Sequence, residues 1–575
     1  MTSAAVWFGL PGRPMFARWH LPEDGTARAG IVLCPPFGLE AQAAGRAYRA
    51  LAAMLASEGF AVLHIDYDGT GDSAGSEDDP ERVEAWQGSV RAAVELLRSS
   101  GAPRICVVGM RLGATVAASV AESCGLDALV LWDPCDSGRS YLREQILLRA
   151  VYLRDQGLDS STDESGPTGG AAVETLGAVY GDDTVRAMGR LSIESSPGSL
   201  AQHVLALFRP ERRPRRAVQE RLSSAGADLA EAVGQEELLS VWPLKAPVPS
   251  DTLDTIVTWL SGAVGTQKSP VVLSGAQTAV IRSPDGEEIV EEIACLGRNR
   301  LFGILTRPTA RPPGPTVVML NSGKLDHLGP GRLWVHLARA WARTGLAVLR
   351  VDLSGLGDSP VQQGREPDVV YSPDALLDIA DIAGFVSPGD PAAVVLMGLC
   401  SGADHSIEAA LSMGARAVFA INPIFAAKPA EAPGGAQPVR ASNLARLPQA
   451  ADVLSRASAR RLARYAPPGL IRQFSNLRWW LVHRAGGGTV PAFVLKRLSH
   501  KGVDTLVVCS KDEGWWVQRG EAATLRRLQQ RGGFRLEVFP AVDHTLYTQA
   551  SLNQVLPLLN EQMSAIRAKS GPVSG

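Results

Sequence analysis

Cysteine and lysine are scarce in this chain, positive charge is not in excess, and no apolar run is long enough to cross a bilayer. The seven cysteines, Cys34, Cys106, Cys124, Cys135, Cys295, Cys400 and Cys509, are odd in number and scattered singly through 575 residues. That spacing supports neither a disulfide framework nor a CxxC zinc site, so no metal is expected and a reducing compartment is. A membrane helix needs roughly 20 apolar residues, and none is found. The segment from Met1 to Met15 has no basic stretch leading into an apolar one, so the expectation is a cytoplasmic protein without a membrane partner. Basic residues number 57 against 59 acidic ones, a net charge of −2. That balance leaves no field for holding a polyphosphate backbone, and nucleic acid is excluded as an expected partner. Only 8 of the cations are lysine and 49 are arginine, a bias that points to a GC-rich bacterial genome.

What is present is apolar residue in quantity. At 45% hydrophobic the chain is too apolar for disorder, and at 575 residues it is too long for one core. Its organisation is set by an internal repeat. The segment beginning GIVLCPPFG at Gly30 has the same plan as TVVMLNSGK from Thr316: apolar strand, Gly/Pro loop, amphipathic helix, Gly turn, apolar strand, then D-x-x-G-x-G-D-S. Asp66, Gly69, Gly71 and Asp72 precede Asp352, Gly355, Gly357 and Asp358 by a constant 286 positions. Continuous apolar runs at 105–110, 129–132, 394–398, 417–421 and 505–510 alternate with helix-period segments, the pattern of parallel strands buried on both faces. The expected fold class is α/β, with two tandem domains, each a mostly parallel doubly wound sheet with a cap insertion. The small and polar stretch SGAVGTQKSPVVLSG suggests a junction at about residue 265, giving domains 1–264 and 265–575. Insertions at about 136–202 and 424–502 follow the mid-domain strands and are expected to cover sites as lids.

In the second copy the apolar strand runs into Gly398-Leu399-Cys400-Ser401-Gly402 and then a helix-forming segment. A nucleophile held on a strained strand–turn–helix needs tiny neighbours two residues before and two after. Cys400 has Gly398 and Gly402, whereas Ser401 would have Leu399 and Ala403, so Cys400 is the candidate nucleophile. Ser401 follows it and supplies an oxyanion-hole N–H, with a second donor from Gly323 or Lys324 on the third-strand loop. The order nucleophile, acid, base places the acid after strand TLVVCS, at Asp512, and the base at His544, after strand RLEVFP. Glu513 and Asp543 are alternative acids, Asp543 ranking below Asp512 because neighbouring loop side chains seldom face one another. His327 and Asp404 are candidates for the substrate pocket, as are Trp479 and Trp480 in the second insertion; for Asp404 and His405 a solvated or packed role is the favoured reading. The first copy reads Gly109-Met110-Arg111-Leu112-Gly113, with Gly234-Gln235 where the base belongs. A guanidinium cannot attack a carbonyl, so this copy is expected to be dead by the acyl route; Arg111 either binds an anion or pairs with a nearby carboxylate.

These motifs resemble the α/β-hydrolase superfamily across both halves. D-x-x-G-x-G-D-S and the elbows GMRLGA and GLCSGA are most similar to exosortase-associated and serine-aminopeptidase-like bacterial hydrolases, some encoded beside polyketide or nonribosomal-peptide genes. The resemblance implies an eight-stranded sheet per half and an acyl-enzyme mechanism that needs no cofactor. Cysteine in place of serine, as in dienelactone-hydrolase-like members, turns the expectation from peptidase or lipase toward acyl hydrolysis or transfer on a small-molecule ester or thioester. A thioester acyl-enzyme is near isoenergetic with a thioester donor, so coenzyme A or an acyl carrier protein is an expected partner. The arginine-rich second insertion could dock an acidic carrier protein or an anionic acyl chain, or present a solvated face. Two other readings stay open, a noncatalytic scaffold and a lyase or cyclase using His544 as base.

Overall fold

The apolar runs become strands whose every residue is buried: Ile105–Met110, Ala128–Trp132, Val394–Leu399, Ala417–Ile421 and Asp504–Ser510. Helices crossing between parallel strands cover both faces of a sheet, which is why these segments show no polar alternation. They lie in a computed structural model that describes residues 2–158, 172–240, 243–310, 314–425, 491–510, 513 and 522–569. The first sheet has eight strands, in the order Thr2–Leu10, Arg13–Leu21, Ala61–Ile65, Gly30–Cys34, Ile105–Met110, Ala128–Trp132, His203–Phe208 and Asp228–Glu231. Its first two pairings are antiparallel and the rest parallel.

The second sheet has nine strands, one more than expected: Thr278–Arg282, Glu288–Leu296, Leu301–Pro308, Ala347–Val351, Thr316–Met319, Val394–Leu399, Ala417–Ile421, Asp504–Ser510 and Phe534–Phe539. The first three pairings are antiparallel and the other five parallel. The additional strand, Thr278–Arg282, alternates exposed and buried residues, a pattern that a search for continuous apolar runs passes over. Its buried Ala279 and Ile281 pack with Trp7 and Phe16 of the first half, and Ile281 bridges to Gly12. The two halves therefore share a small apolar cluster. The last helix of the first half, Ser250–Ala263, precedes this strand.

The repeated D-x-x-G-x-G-D-S has the same internal chemistry in both copies. The Asp66 carboxylate accepts the Asp72 N–H at 2.8 Å, and Asp352 accepts that of Asp358 at 2.9 Å. The hydroxyls of Ser73 and Ser359 donate back to the carbonyls of Asp66 and Asp352. The turn wraps so closely around the aspartate that a Cβ on Gly71 or Gly357 would lie 2.1 or 2.3 Å from its carboxyl group. Both glycines also have positive φ, near 51° and 52°.

The two turns face each other across the halves. Asp72 pairs with Arg350 of the second half at 2.5 Å, and Asp358 pairs with Arg18 of the first at 2.5 Å. His327 lies between them, its Nε2 2.7 Å from Asp72 and its Nδ1 2.9 Å from Asp352. The expectation that His327 lines a substrate pocket is therefore corrected. Its side chain is 2% exposed and both ring nitrogens are spent on carboxylates. Burial opposes its charge, but the two aspartates overcome that cost and hold the ring protonated well above the usual histidine range. Arg332 and Arg339 complete the joint by donating to main-chain carbonyls between Gly69 and Gly75 of the facing turn.

Candidate functional site

Strand Val394–Leu399 ends at Cys400, whose φ is 58° and which caps the N-terminus of helix Ser401–Met413. The bend is enforced by packing. A Cβ at Gly398 would meet the Gly402 carbonyl carbon at 2.1 Å, and one at Gly402 would meet the Asn321 carbonyl oxygen at 2.3 Å. Cys400 donates its N–H to the Ile421 carbonyl at 2.9 Å, which fixes the elbow to the neighbouring strand. Its side chain is partly exposed, while Cys34, Cys106 and Cys509 are buried within strands and Cys124 and Cys135 are buried in the core of the first half.

His544 follows strand Phe534–Phe539 and comes to the same sulfur. Its Nδ1 lies 3.0 Å from Glu513 Oε1, within ion-pair distance but off the line of a straight hydrogen bond. Burial disfavours charge on this ring. Attraction and hydrogen bonding from Cys400, followed by those from Glu513, outweigh it and push the pKa up to about 10. Because the folded value exceeds the ordinary 6.5, this pairing stabilises the fold in full below about pH 6.5 and loses that contribution as pH rises through about 10. Replacing Cys400 with alanine removes the leading contributions that sustain the charge, so the His544 midpoint should drop from near 10 toward the ordinary range. Imidazole nitrogen chemical shifts followed against pH would show this; an unmoved midpoint would refute the pairing.

Asp512, the expected acid, lies outside the described residues, and the carboxylate against the ring belongs to Glu513. Asp543, the lowest-ranked alternative, is 1% exposed and turned away from the imidazole. Its Oδ1 accepts from the hydroxyls of Thr548 and Ser551, and its Oδ2 from the Tyr547 N–H and the Tyr152 hydroxyl. Gly323 is also redirected from its expected role: its N–H donates to Ser401 Oγ at 2.9 Å, tying the third-strand loop to the elbow. Ser401, as the first helical residue, has a main-chain N–H with no intrahelical acceptor. Lys324 lines a shallow cleft between the halves, together with Arg46, Arg49 and Asp326. Asp404, offered for the pocket, accepts from the Tyr371 hydroxyl at 2.9 Å and the Phe425 N–H at 2.9 Å, a packing role. His405 bonds the Val370 carbonyl. Trp479, Trp480 and most of the 424–502 insertion lie outside the described residues, as does 159–171 of the first.

Sequence reasoning missed Asn422. It follows strand Ala417–Ile421 with φ 47°, a left-handed position that asparagine tolerates and that Ile-Asn-Pro could have signalled. Its Nδ2 donates to the His544 carbonyl at 2.7 Å, and its Oδ1 accepts the Ser510 N–H at 2.6 Å. Asn422→Ala should therefore lower turnover by roughly tenfold through misplacement of the base, with a stability loss of about 1–3 kcal/mol for the orphaned groups. Steady-state kinetics and thermal unfolding on the same preparation would check it, and unchanged turnover would remove Asn422 from the site.

In the first half the same bend carries Arg111, at φ 54°. Glycines bracket it again, a Cβ at Gly113 meeting the Pro35 carbonyl oxygen at 2.2 Å. The guanidinium is 1% exposed and pairs with Glu40 at 3.3 Å, Asp133 at 3.2 Å and, closest, Glu144. Of the two readings left open, carboxylate pairing is the one observed. Asp133 stands where Asn422 stands in the other half, after the corresponding strand and also with positive φ. The cation at the first bend pairs with that anion, whereas in the second half the corresponding Asn422 bonds the His544 carbonyl.

Residues 314–553 match the model of the "Alpha/beta hydrolase family". No curated protein matches the chain. Among solved structures the chain is similar to XC6422 from Xanthomonas campestris, described as a member of a/b serine hydrolase without lid (15% identity, 45% of this chain and 93% of that one, TM-score 0.29). It is similar also to Est1E from Butyrivibrio proteoclasticus, solved with ferulic acid (15%, 44% and 99%, 0.33). A third is a proline iminopeptidase from Mycobacterium smegmatis (16%, 46% and 98%, 0.32). Elbow, base loop and the parallel strands of the second sheet all lie inside the segment that matches the α/β-hydrolase family model.

Proposed function

We propose that the second half is a cysteine-dependent acyl hydrolase or acyltransferase acting on an ester or thioester. The observation that supports this reading best is the partly exposed Cys400 on its strained elbow, with the His544 ring set between that sulfur and the Glu513 carboxylate 3.0 Å away. With the imidazole beside it to hold its proton, the sulfur attacks as the thiolate and bonds the acyl carbon. The Ser401 N–H and the Lys324 N–H are the donors for the tetrahedral oxyanion, since the Gly323 N–H is engaged by Ser401 Oγ. As the C–O or C–S bond of the substrate breaks, His544 passes its proton to the leaving alkoxide or thiolate. Water, or an acceptor alcohol, amine or thiol, then gives a proton back to His544 while attacking the thioester, and the Cys400 thiolate is regenerated.

The chemistry suits donors carried on coenzyme A or an acyl carrier protein, and a place in natural-product assembly. The test is mass spectrometry of the full chain incubated with a short acyl thioester. An acyl adduct on the peptide containing Cys400 is the expected result. Consumption of the thioester without any adduct, in rapid-quench samples, would overturn the acyl-enzyme and favour His544 acting as a base alone.

A further inference from the structure

The first half has lost the nucleophile position to Arg111, yet its insertion reaches the base loop of the second half. Helix Gly138–Asp155 opens with a Ser137/Ser140 capping box and runs from one elbow toward the other. Near its middle Glu144 pairs with Arg111, and Gln145 donates to Glu40 at 2.9 Å. Eight residues on, roughly 12 Å along the axis, the Tyr152 hydroxyl donates to Asp543 Oδ2 at 2.7 Å and lies 3.0 Å from Thr545 Oγ1. Those two residues flank His544.

The rest of the contact is built to the same end. The Gly177 N–H donates to the Tyr547 carbonyl at 3.2 Å, and the Gln549 N–H donates to Glu174 at 2.7 Å. The Tyr547 hydroxyl donates to Gln42 at 2.5 Å. Tyr152, Leu176 and Tyr547 form a buried apolar cluster around these bonds. Asp543 is the hub: among the described residues, its carboxylate accepts from the loop and helix start at 545–551, and Tyr152 brings in the first half.

We propose that the first half is a positioning lobe for the base of the second, with Tyr152 as the positioning residue that sets His544 by clamping Asp543 and Thr545 from outside the catalytic domain. The phenol is suited to this, because burial and the Asp543 carboxylate raise its pKa and keep it a donor throughout the working range. A base held from another lobe ties turnover to the docking of the halves, which gives a reason for a hydrolase domain to keep a partner copy that cannot attack a carbonyl.

The role of Tyr152 in turnover rests on the acyl-enzyme reading, but the clamp itself does not, and the test separates them. In the full chain, Tyr152→Phe should lower kcat for a short acyl thioester about 10- to 100-fold while KM stays within about twofold, as expected when a base is misplaced and substrate contacts are not. The acid limb of the pH profile should shift with it, and amide exchange across residues 541–550 should quicken. If kcat, pH profile and exchange all match the parent, the clamp is wrong. If Cys400→Ala retains turnover, the acyl-enzyme reading fails, and the exchange rate alone then decides the clamp. Glu174→Gln, on the partly exposed hairpin, covers the case in which Tyr152→Phe does not fold; exchange across the same peptide should quicken, and an unchanged rate would overturn the proposal.

Discussion

Cys400→Ala should cut acyl-thioester turnover by about 10⁴-fold or more, the size of loss seen when the nucleophile of a triad is deleted and only binding and oxyanion stabilisation remain. The variant is suited to the measurement because alanine meets the same φ of 58° and removes only a partly exposed sulfur, so elbow and helix should persist. Low concentrations of iodoacetamide should alkylate the parent at this position in preference to the buried Cys34, Cys106 and Cys509. Burial raises the thiol pKa of Cys34 and Cys106 to about 12 and that of Cys509 further still, so these three remain inert. Full turnover in Cys400→Ala would end the thiol mechanism. Turnover lost in His544→Ala but kept in Cys400→Ala would assign the domain to base-only chemistry on the same fold.

The second large effect concerns stability. Arg111→Met should destabilise the first half by about 3–5 kcal/mol, the cost of leaving buried carboxylates without their cation. Glu40 and Asp133 are both buried, and burial already raises the Glu40 pKa from its ordinary value. Asp133 keeps Arg209 and Arg212 as partners, so Glu40 takes most of the loss. For a unit of this size the unfolding midpoint should fall by on the order of 10 °C. Adding Glu40→Gln to the variant should recover part of it. Differential scanning calorimetry reads both, and a midpoint within about 1 °C of the parent would show that the carboxylates find other compensation.

Much of this was legible in the sequence because parallel strands and tight bends leave strong local marks. The buried runs, the glycines bracketing Cys400 and Arg111, and the turn at Gly71 and Gly357 each follow from sterics within a few residues. Contacts that depend on the relation of the halves were not legible. His327 reads as a loop residue beside a pocket until Asp72, 255 positions away, is brought against it. Strand Thr278–Arg282 has a period of two, and its buried face is completed only by Trp7 and Phe16. Glu513 rather than Asp543 reaches the imidazole because Asp543 is consumed by its own loop and by Tyr152, a demand no local pattern announces.

The pairing of Arg111 with Asp133, at positions that Cys400 and Asn422 hold in the second half, has an evolutionary corollary. A cysteine installed alone at position 111 would confront Asp133 and Glu40, whose negative charge would oppose ionisation of the sulfur. A reactive thiol at that position would thus require Glu40 and Asp133 to change as well, so a single substitution does not carry the first bend to the chemistry of the second.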